Sequence, residues 1–227
     1  MFHVKQGYFI TGTGTGVGKT FVTAALARRA RELGRRVMAY KPIETGCRRN
    51  ENRLIGEDQE LLAEAAGGWQ TGPMTGLYQF EPPVAPAVAA QRAHVVISIP
   101  TISTLVKAVL TGTGGPALDR VDLLLVEGAG GWRVPITNTQ DMGALAAACG
   151  LPVIVAAAAT LGTINHSLLT IEAVERDGQT CVALVLSQHP RDDLALVASN
   201  VVELRARWPG QILVLGSDAT ALDPLLG

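Results

Sequence analysis

Tyr8-Phe9-Ile10-Thr11-Gly12-Thr13-Gly14-Thr15-Gly16-Val17-Gly18-Lys19-Thr20 decides how the rest of the chain is read. A short apolar run enters a loop carrying four glycines, the loop ends in Gly-Lys-Thr, and an Ala- and Leu-rich stretch follows. Glycines let backbone N–H groups turn inward without a Cβ clash. Those donors, together with a helix N-terminus, form a nest for phosphate anions. In such a loop Lys19 reaches the outer phosphates and the Thr20 hydroxyl binds Mg²⁺. The general spacing asks for glycine at position 13, where this chain has Thr13; the glycine sits one place earlier, at Gly12. Strand, loop, Gly-Lys-Thr and helix still occur in the required order, which favours a phosphate loop over a glycine-rich surface turn.

Outward from that loop, strand-like and helix-like stretches alternate. Strands are expected at Tyr8 to Thr11, Arg36 to Tyr40, Val121 to Val126, Pro152 to Ala157, Cys181 to Leu186 and Gln211 to Leu215. Helices are expected at Lys19 to Leu33, stopped by Gly34, and at Asn52 to Ala66, closed by Gly67-Gly68. Further helices are expected at Pro86 to Ala93, Ser98 to Leu110, Asp141 to Cys149, Thr163 to Asp177 and Asp192 to Arg207. Ser98 is a candidate cap, with Pro100 in the first turn, where its missing N–H does little harm. Gly72 to Pro83 reads as a loop. Several strands are almost wholly aliphatic, which indicates burial on both faces of a parallel sheet. The expected fold is α/β: a doubly wound, mostly parallel sheet flanked by helices, of the P-loop NTPase kind, as one domain over 1–227. Ligands in such folds bind at the carboxyl ends of strands, where the phosphate loop lies.

Composition narrows the function classes. Hydrophobic residues make up 48% of the 227 residues and charged residues 17%. That charged share is below the usual ~25%, as expected for a well-filled core or a buried oligomer surface. A net charge of -1 gives no electrostatic case for nucleic acid or an anionic membrane. Cys47, Cys149 and Cys181 are far apart, imply neither a disulfide framework nor a zinc spacing, and fit a reduced cytoplasmic compartment. The N-terminal Met-Phe-His-Val-Lys lacks the apolar core of a signal peptide. The longest apolar run, Leu151 to Leu161, is too short to span a bilayer. Of the few lysines, Lys19 and Lys41 both fall in candidate site stretches.

Four further segments carry chemistry. Glu127 follows a run of aliphatic residues and precedes Gly128-Ala129-Gly130-Gly131. A carboxylate at that strand tip sits beside the phosphate loop, where Mg²⁺ needs oxygen ligands. On the expected Asn52 to Ala66 helix, Leu54, Ile55, Leu61, Leu62 and Ala65 form one stripe, and Asp58 falls inside it. A carboxylate facing the body of the protein needs a partner; a magnesium ion and a buried arginine both qualify. Lys41 heads Lys41-Pro42-Ile43-Glu44-Thr45-Gly46 at the end of the second strand and can face the ligand crevice, holding an anionic group. Thr160-Leu161-Gly162-Thr163-Ile164-Asn165-His166 joins a strand to a helix whose first N–H groups can hold a carboxylate. His166 serves equally as a structural hydrogen-bonding residue, and His3, His94 and His189 show no ligand spacing. Trp69, Trp132 and Trp208 read as packing residues.

Taken together, Thr11 to Thr20, Tyr40 to Gly46, Val126 to Trp132 and Leu161 to His166 resemble, in order and rough separation, the dethiobiotin synthetase family of biotin biosynthesis. The shifted first glycine of the phosphate loop is also what that family has. The resemblance implies a Mg²⁺- and ATP-dependent ligase acting on 7,8-diaminopelargonic acid and CO₂. A substrate amine takes up CO₂ as a carbamate, the carbamate attacks the γ-phosphate of ATP, and the neighbouring amine closes the ring on the resulting carbamic–phosphoric anhydride. By the same resemblance Thr20, Asp58 and Glu127 hold Mg²⁺, and Lys19 neutralises the outer phosphates. Lys41 stabilises the carbamate and the transferring phosphoryl group, and Thr15 and Thr45 hydrogen-bond the carbamate or phosphate. Gly14, Thr15, Gly16, Val17, Gly18, Lys19 and Thr20 wrap the phosphates, with Gly128, Ala129 and Gly130 close by. The family is homodimeric with its site at the interface, so that Leu161, Gly162, Thr163 and Asn165 receive the substrate carboxylate from the partner subunit. Ser187-Gln188 stands where family members often carry an asparagine near the nucleotide base, and Gly216-Ser217-Asp218-Ala219 departs from the other base-contacting turn.

Two other classes share the phosphate loop. Partitioning or assembly ATPases carry a second lysine five places before the first, where this chain has Gly14. A small-molecule kinase has no need of the Glu127 to Gly131 stretch or the Gly162 turn.

Overall fold

The structure, a computed structural model of the chain, describes residues 6–51, 53–113 and 115–227. The N-terminal segment with His3, and the expected helix start at Asn52, lie outside the described residues. In chain order, β1 (Gln6–Gly12) leads through the glycine loop into α1 (Lys19–Glu32). There follow β2 (Val37–Tyr40), β3 (Ile43–Thr45), β4 (Arg48–Asn50), β5 (Arg53–Ile55), α2 (Glu57–Ala65) and β6 (Tyr78–Phe80). Next come α3 (Pro86–Arg92), α4 (Ile99–Thr111), α5 (Pro116–Asp119), β7 (Leu123–Gly131) and α6 (Met142–Cys149). The chain closes with β8 (Val153–Ala158), α7 (Thr163–Arg176), β9 (Cys181–Ser187), α8 (Leu194–Arg205) and β10 (Gln211–Leu215). One 3₁₀ turn spans Gly72–Thr75 and another, Ala219–Leu225, follows β10.

Six strands make one parallel sheet in the order β10-β9-β8-β1-β7-β2. Alternate residues of each strand enter opposite layers, because side chains of a strand point to alternating faces. Phe9, Leu124, Val126, Val153 and Val155 pack with α4, α6 and α7 residues such as Ile102, Met142 and Ile171. Tyr8, Ile10, Leu123, Leu125 and Ile154 pack against α1, α2 and the C-terminal turn through Val22, Leu26, Leu62 and Leu222. Helices therefore cover both faces, as the aliphatic strands require. The sheet is wound outward from β1, so the loop after β1 opens at the point where the strand order reverses, the usual crevice for ligands.

Local signals explain several ends. Ser98 accepts the Thr101 N–H at 3.2 Å, and Asp141 accepts the Ala144 N–H at 3.0 Å, each capping its helix as the residue type predicts. The C-terminal turn is fastened to β1 and α1: Tyr8 and Gln6 donate to the Leu225 carbonyl, Arg35 to Leu226, and Arg29 to Asp223.

Four expectations need correction. The helix expected from Asn52 begins at Glu57, because Arg48–Asn50 and Arg53–Ile55 pair as antiparallel strands in which Arg48 faces Ile55 and Arg49 faces Leu54. Leu54 and Ile55 therefore belong to no helical stripe. The buried positions of α2 are Gln59, Leu62 and Ala65, and Leu61 is exposed. The loop expected over Gly72 to Pro83 contains β6, which pairs in parallel with β3. The strand before Glu127 does not end there but runs on to Gly131, so Glu127 lies inside the sheet beside Ile10. Finally, α5 and the C-terminal 3₁₀ turn occupy stretches with no expected element.

Candidate functional site

The glycine loop closes around Lys19. Gly16 and Gly18 take positive φ of 72° and 95°, conformations that an L side chain strains to adopt. A Cβ on Gly18 would lie 2.6 Å from the Ser187 Cβ. A Cβ on Gly12 would come within 2.8 Å of Val17 Cγ2 and 3.0 Å of Lys19 Cγ. The displaced glycine thus sits where the loop folds back on its own start, while Thr13 is free to donate its N–H to Ala156 at 3.0 Å. Lys19 is buried, and its Nζ donates to the Gly14 carbonyl at 2.8 Å. Burial lowers its pKa to about 8, against the raising pull of Glu127 and Asp58 and with a further lowering from Lys41.

Glu127 is fully buried beneath this loop. Its Oε1 accepts from Thr20 Oγ1 at 2.8 Å and from Lys41 Nζ at 3.0 Å, and its Oε2 accepts from Thr23 Oγ1 at 2.8 Å. Lys41 Nζ also donates to Asp58 Oδ2. Burial opposes the charge on Lys41, but Glu127 and Asp58 outweigh it and hold its pKa above the ordinary lysine value. One ammonium therefore lies between two carboxylates drawn from β7 and α2, with the Thr20 hydroxyl on the same oxygen of Glu127. These are hard oxygen donors already gathered about a cation, the chemistry Mg²⁺ selects. Among the described residues no group of three or more His, Cys, Asp or Glu could hold a metal, so a metal here would rest on two carboxylates, a hydroxyl and its substrate or water.

The arginine alternative for Asp58 does not hold: the carboxylate pairs with Lys41. Its side chain is 45% exposed, because it stands in the first turn of α2 at the cavity wall rather than in an apolar stripe.

The cavity over the loop measures about 620 Å³. Of the sequence candidates, Thr15, Gly16, Gly18, Lys19, Thr20, Lys41, Thr45, Asp58, Ala129 and Gly130 line it. Gly14 and Val17 belong to the loop but not to the lining, and a Cβ on Gly128 would meet Met142 and Phe9 in the core instead. A second cavity of about 530 Å³ is lined by Ala25, Arg28, Gln188, Gly216, Ser217 and Ala219, and Phe21 lines both. Ser187 does not reach it; its side chain packs on Gly18. Leu161, Gly162, Thr163 and Asn165 line neither cavity. Gly162 opens α7 at φ 91°, and Leu161 is 84% exposed. His94, His166 and His189 are exposed and line neither cavity. All three tryptophans pack, Trp132 edge-on to Phe9 at 6.5 Å.

Several participants were not anticipated. Thr23, one helical turn after Lys19, supports Glu127. Pro83, Val84, Ala85 and Pro86 form an apolar wall opposite the loop. Glu44 accepts the Asp58 and Gln59 N–H groups at 2.9 and 3.0 Å. Burial raises the Glu44 carboxyl, while Lys41 and those two amides lower it.

A family model described as an AAA domain matches residues 6–217. The chain is 39% identical over 213 residues to the ATP-dependent dethiobiotin synthetase BioD of Anaeromyxobacter dehalogenans strain 2CP-C, covering 92% of this chain and 89% of that protein. It is 37% identical over 190 residues to the protein of the same name from Marinobacter nauticus, covering 84% and 78%. Among solved structures, the MinC:MinD cell division complex of Aquifex aeolicus superposes with a TM-score of 0.55 at 14% identity, covering 97% of this chain and 85% of that one. MinD of the same organism superposes at 0.52 and 16% identity, covering 97% and 86%. At those identities the likeness is one of fold alone.

Proposed function

The chain belongs to the ATP-dependent dethiobiotin synthetase family, and from that premise we propose that it closes the ureido ring of dethiobiotin from 7,8-diaminopelargonic acid, CO₂ and ATP. As a member of that family it is an ATP-dependent ligase that forms a carbon–nitrogen bond. The carrying observation is the convergence of Lys19, Thr20, Lys41 and Asp58 on the wall of the phosphate-loop cavity, with Glu127 buried behind it as the acceptor for Thr20 and Lys41.

Phosphoryl transfer asks for positioning and charge neutralisation more than covalent help from the protein. The loop amides from Gly14 to Thr20 cradle the phosphates, and Lys19 neutralises the outer two. Thr20, Asp58 and Glu127 would hold Mg²⁺, which supplies Lewis-acid neutralisation of the triphosphate when bound. Lys41 stands beside these carboxylates at the cavity wall, close enough to stabilise the carbamate formed on one substrate amine. Its raised pKa keeps it cationic as the carbamate oxygen attacks the γ-phosphate. Thr15 and Thr45 orient the carbamate and phosphate. The neighbouring amine then attacks the mixed anhydride, the C–N bond closes the ring, and ADP and phosphate leave. The Pro83 to Pro86 wall suits the substrate's methylene chain. The nucleotide base extends past Phe21 into the second cavity, towards Gln188 and Gly216, with Ser187 behind the loop.

The protein works in the cytoplasm as one P-loop domain per chain and as a homodimer. Among the described residues no helix is long and apolar enough to cross a membrane. In the Leu161 to Asn165 turn, Leu161, Gly162 and Asn165 are exposed while Thr163 is buried; the turn lines neither cavity of its own chain and is suited to receive the substrate carboxylate bound to the partner. Incubation with ATP, Mg²⁺, bicarbonate and diaminopelargonate should release ADP together with a ring product. ATP turnover indifferent to both the diamine and CO₂ would overturn the assignment.

A further inference from the structure

The first turn of α2 has no cap of its own. Gly56 stands at the N-cap and offers no side chain, so the Asp58 and Gln59 N–H groups are left to a group from elsewhere. Glu44, on β3, supplies it: each carboxylate oxygen takes one of the two amides, at 2.9 and 3.0 Å. The fit is close, since a Cβ on Gly56 would lie 2.8 Å from the Glu44 carboxyl carbon. Gln59 completes the exchange, accepting the Lys41 N–H at 2.6 Å and donating to the Ala39 carbonyl. Residues 41–44 and 58–59 are thereby tied in both directions, and the Lys41–Asp58 ion pair closes the ring. Between the two segments in the chain stand β4 and β5, paired with each other, while these ties join residues 41–44 and 58–59 directly.

We propose that Glu44 is a positioning residue: by capping α2 from across the site it fixes where the Asp58 carboxylate stands relative to Lys41 and Glu127. It touches neither cavity; its hydrogen bonds act through α2 and Asp58, beside a lesser coulombic pull on Lys41. This rests on the metal role given to Asp58 in the proposed function. A carboxylate on two backbone donors is a stronger anchor than a neutral acceptor, and its charge also suits a helix N-terminus.

The test is the binding of Mn²⁺ beside a non-hydrolysable ATP analogue, read from the electron paramagnetic resonance of free Mn²⁺. Glu44→Gln keeps the shape but sets an NH₂ against one of the two amides. It should weaken Mn²⁺ about tenfold, in line with the loss seen when outer partners of metal ligands are removed, and leave metal-free analogue affinity within about twofold. Glu44→Asp, which keeps the charge but withdraws it by one methylene, should give the same selective loss if the glutamine variant does not fold. In an Asp58→Asn background, Glu44→Gln should change Mn²⁺ affinity no further, although it still lowers the Tm. Wild-type Mn²⁺ affinity in Glu44→Gln or Glu44→Asp, or losses that multiply across the double variant, would overturn the proposal. So would a wild-type protein that takes up no Mn²⁺ beside the analogue. None of these readings involves the diamine or CO₂, so failure of ring closure in the wild type is a separate result.

Discussion

Replacing Lys41 with methionine removes one positive charge from between two carboxylates while keeping the side chain's unbranched stem, short only of the ammonium. The two partners differ in what they lose. Asp58 is 45% exposed and is solvated by water once the ammonium is gone, so its share of the pair is worth ~1 kcal/mol or less. Glu127 is 0% exposed and cannot move to water. Breaking a buried pair by deleting one partner costs ~3–5 kcal/mol. Thr20 and Thr23 keep their hydroxyl bonds to Glu127, which places Lys41→Met near the lower end, about 3 kcal/mol. For a chain of this size that is a fall in Tm of roughly 6–12 °C. Urea unfolding followed by the fluorescence of the buried tryptophans measures it, with nucleotide and metal withheld. Lys41→Met/Glu127→Gln should recover most of the loss, because a neutral amide can still bond both threonines and no charge is stranded. A single variant within ~0.5 kcal/mol of wild type, or a double variant less stable than the single, would refute the claim that Lys41 is the counter-charge of Glu127.

Three other outcomes are expected. Lys19 titrates near 8 in the folded chain and near ~10.4 when unfolded, so between those values the unfolded chain holds the extra proton and stability rises with pH. Triphosphate binding needs the ammonium, so analogue affinity should fall with pH over the same window; calorimetry that finds it flat from about pH 7 to about pH 10 contradicts the lowered value. Gly18→Ala meets two costs, ~1–2 kcal/mol for a left-handed alanine and the contact with Ser187. Analogue affinity should drop more than about tenfold, and Ser187→Gly in the same chain should restore part of it; full affinity in Gly18→Ala alone excludes the close packing described. Asp58→Asn should raise the Mg²⁺ concentration for half-maximal turnover about tenfold, and an unchanged magnesium response would leave Asp58 with Lys41 as its only role.

What the sequence disclosed was carried by local patterns. The glycine loop, the Gly34 stop and the Ser98 cap each depend on neighbours a few residues away and stand where they were expected, and each aliphatic run forms a strand, although β7 runs on past its expected end. The pairing of β4 with β5 was hidden because Leu54 and Ile55 fall at helical spacing from Leu61 and Leu62, and only Gly56 interrupts the pattern. The short parallel pair β3–β6 is three residues long on each side, too brief for any period to show. Asp58 was legible as a carboxylate in need of a partner; that the partner is Lys41 is a fact of how β2 and α2 are docked. Glu44 carried no signal at all, since its role depends on two amides fourteen and fifteen positions later. Glu127 was visible as an acid after an aliphatic run, but its complete burial follows from a strand that continues through small residues which pack as sheet.

The strand order has a consequence for synthesis. β1 pairs with β8 and β7, never with the strand that follows it, and Thr20 finds Glu127 only 107 positions downstream. A ribosome translating this message therefore exposes the glycine loop, Lys19 and Lys41 long before the counter-charge of Glu127 leaves the exit tunnel. Until β7 arrives the nascent chain has both edges of its first strand open, so chaperone protection during that interval matters more for this protein than for one built of sequential hairpins.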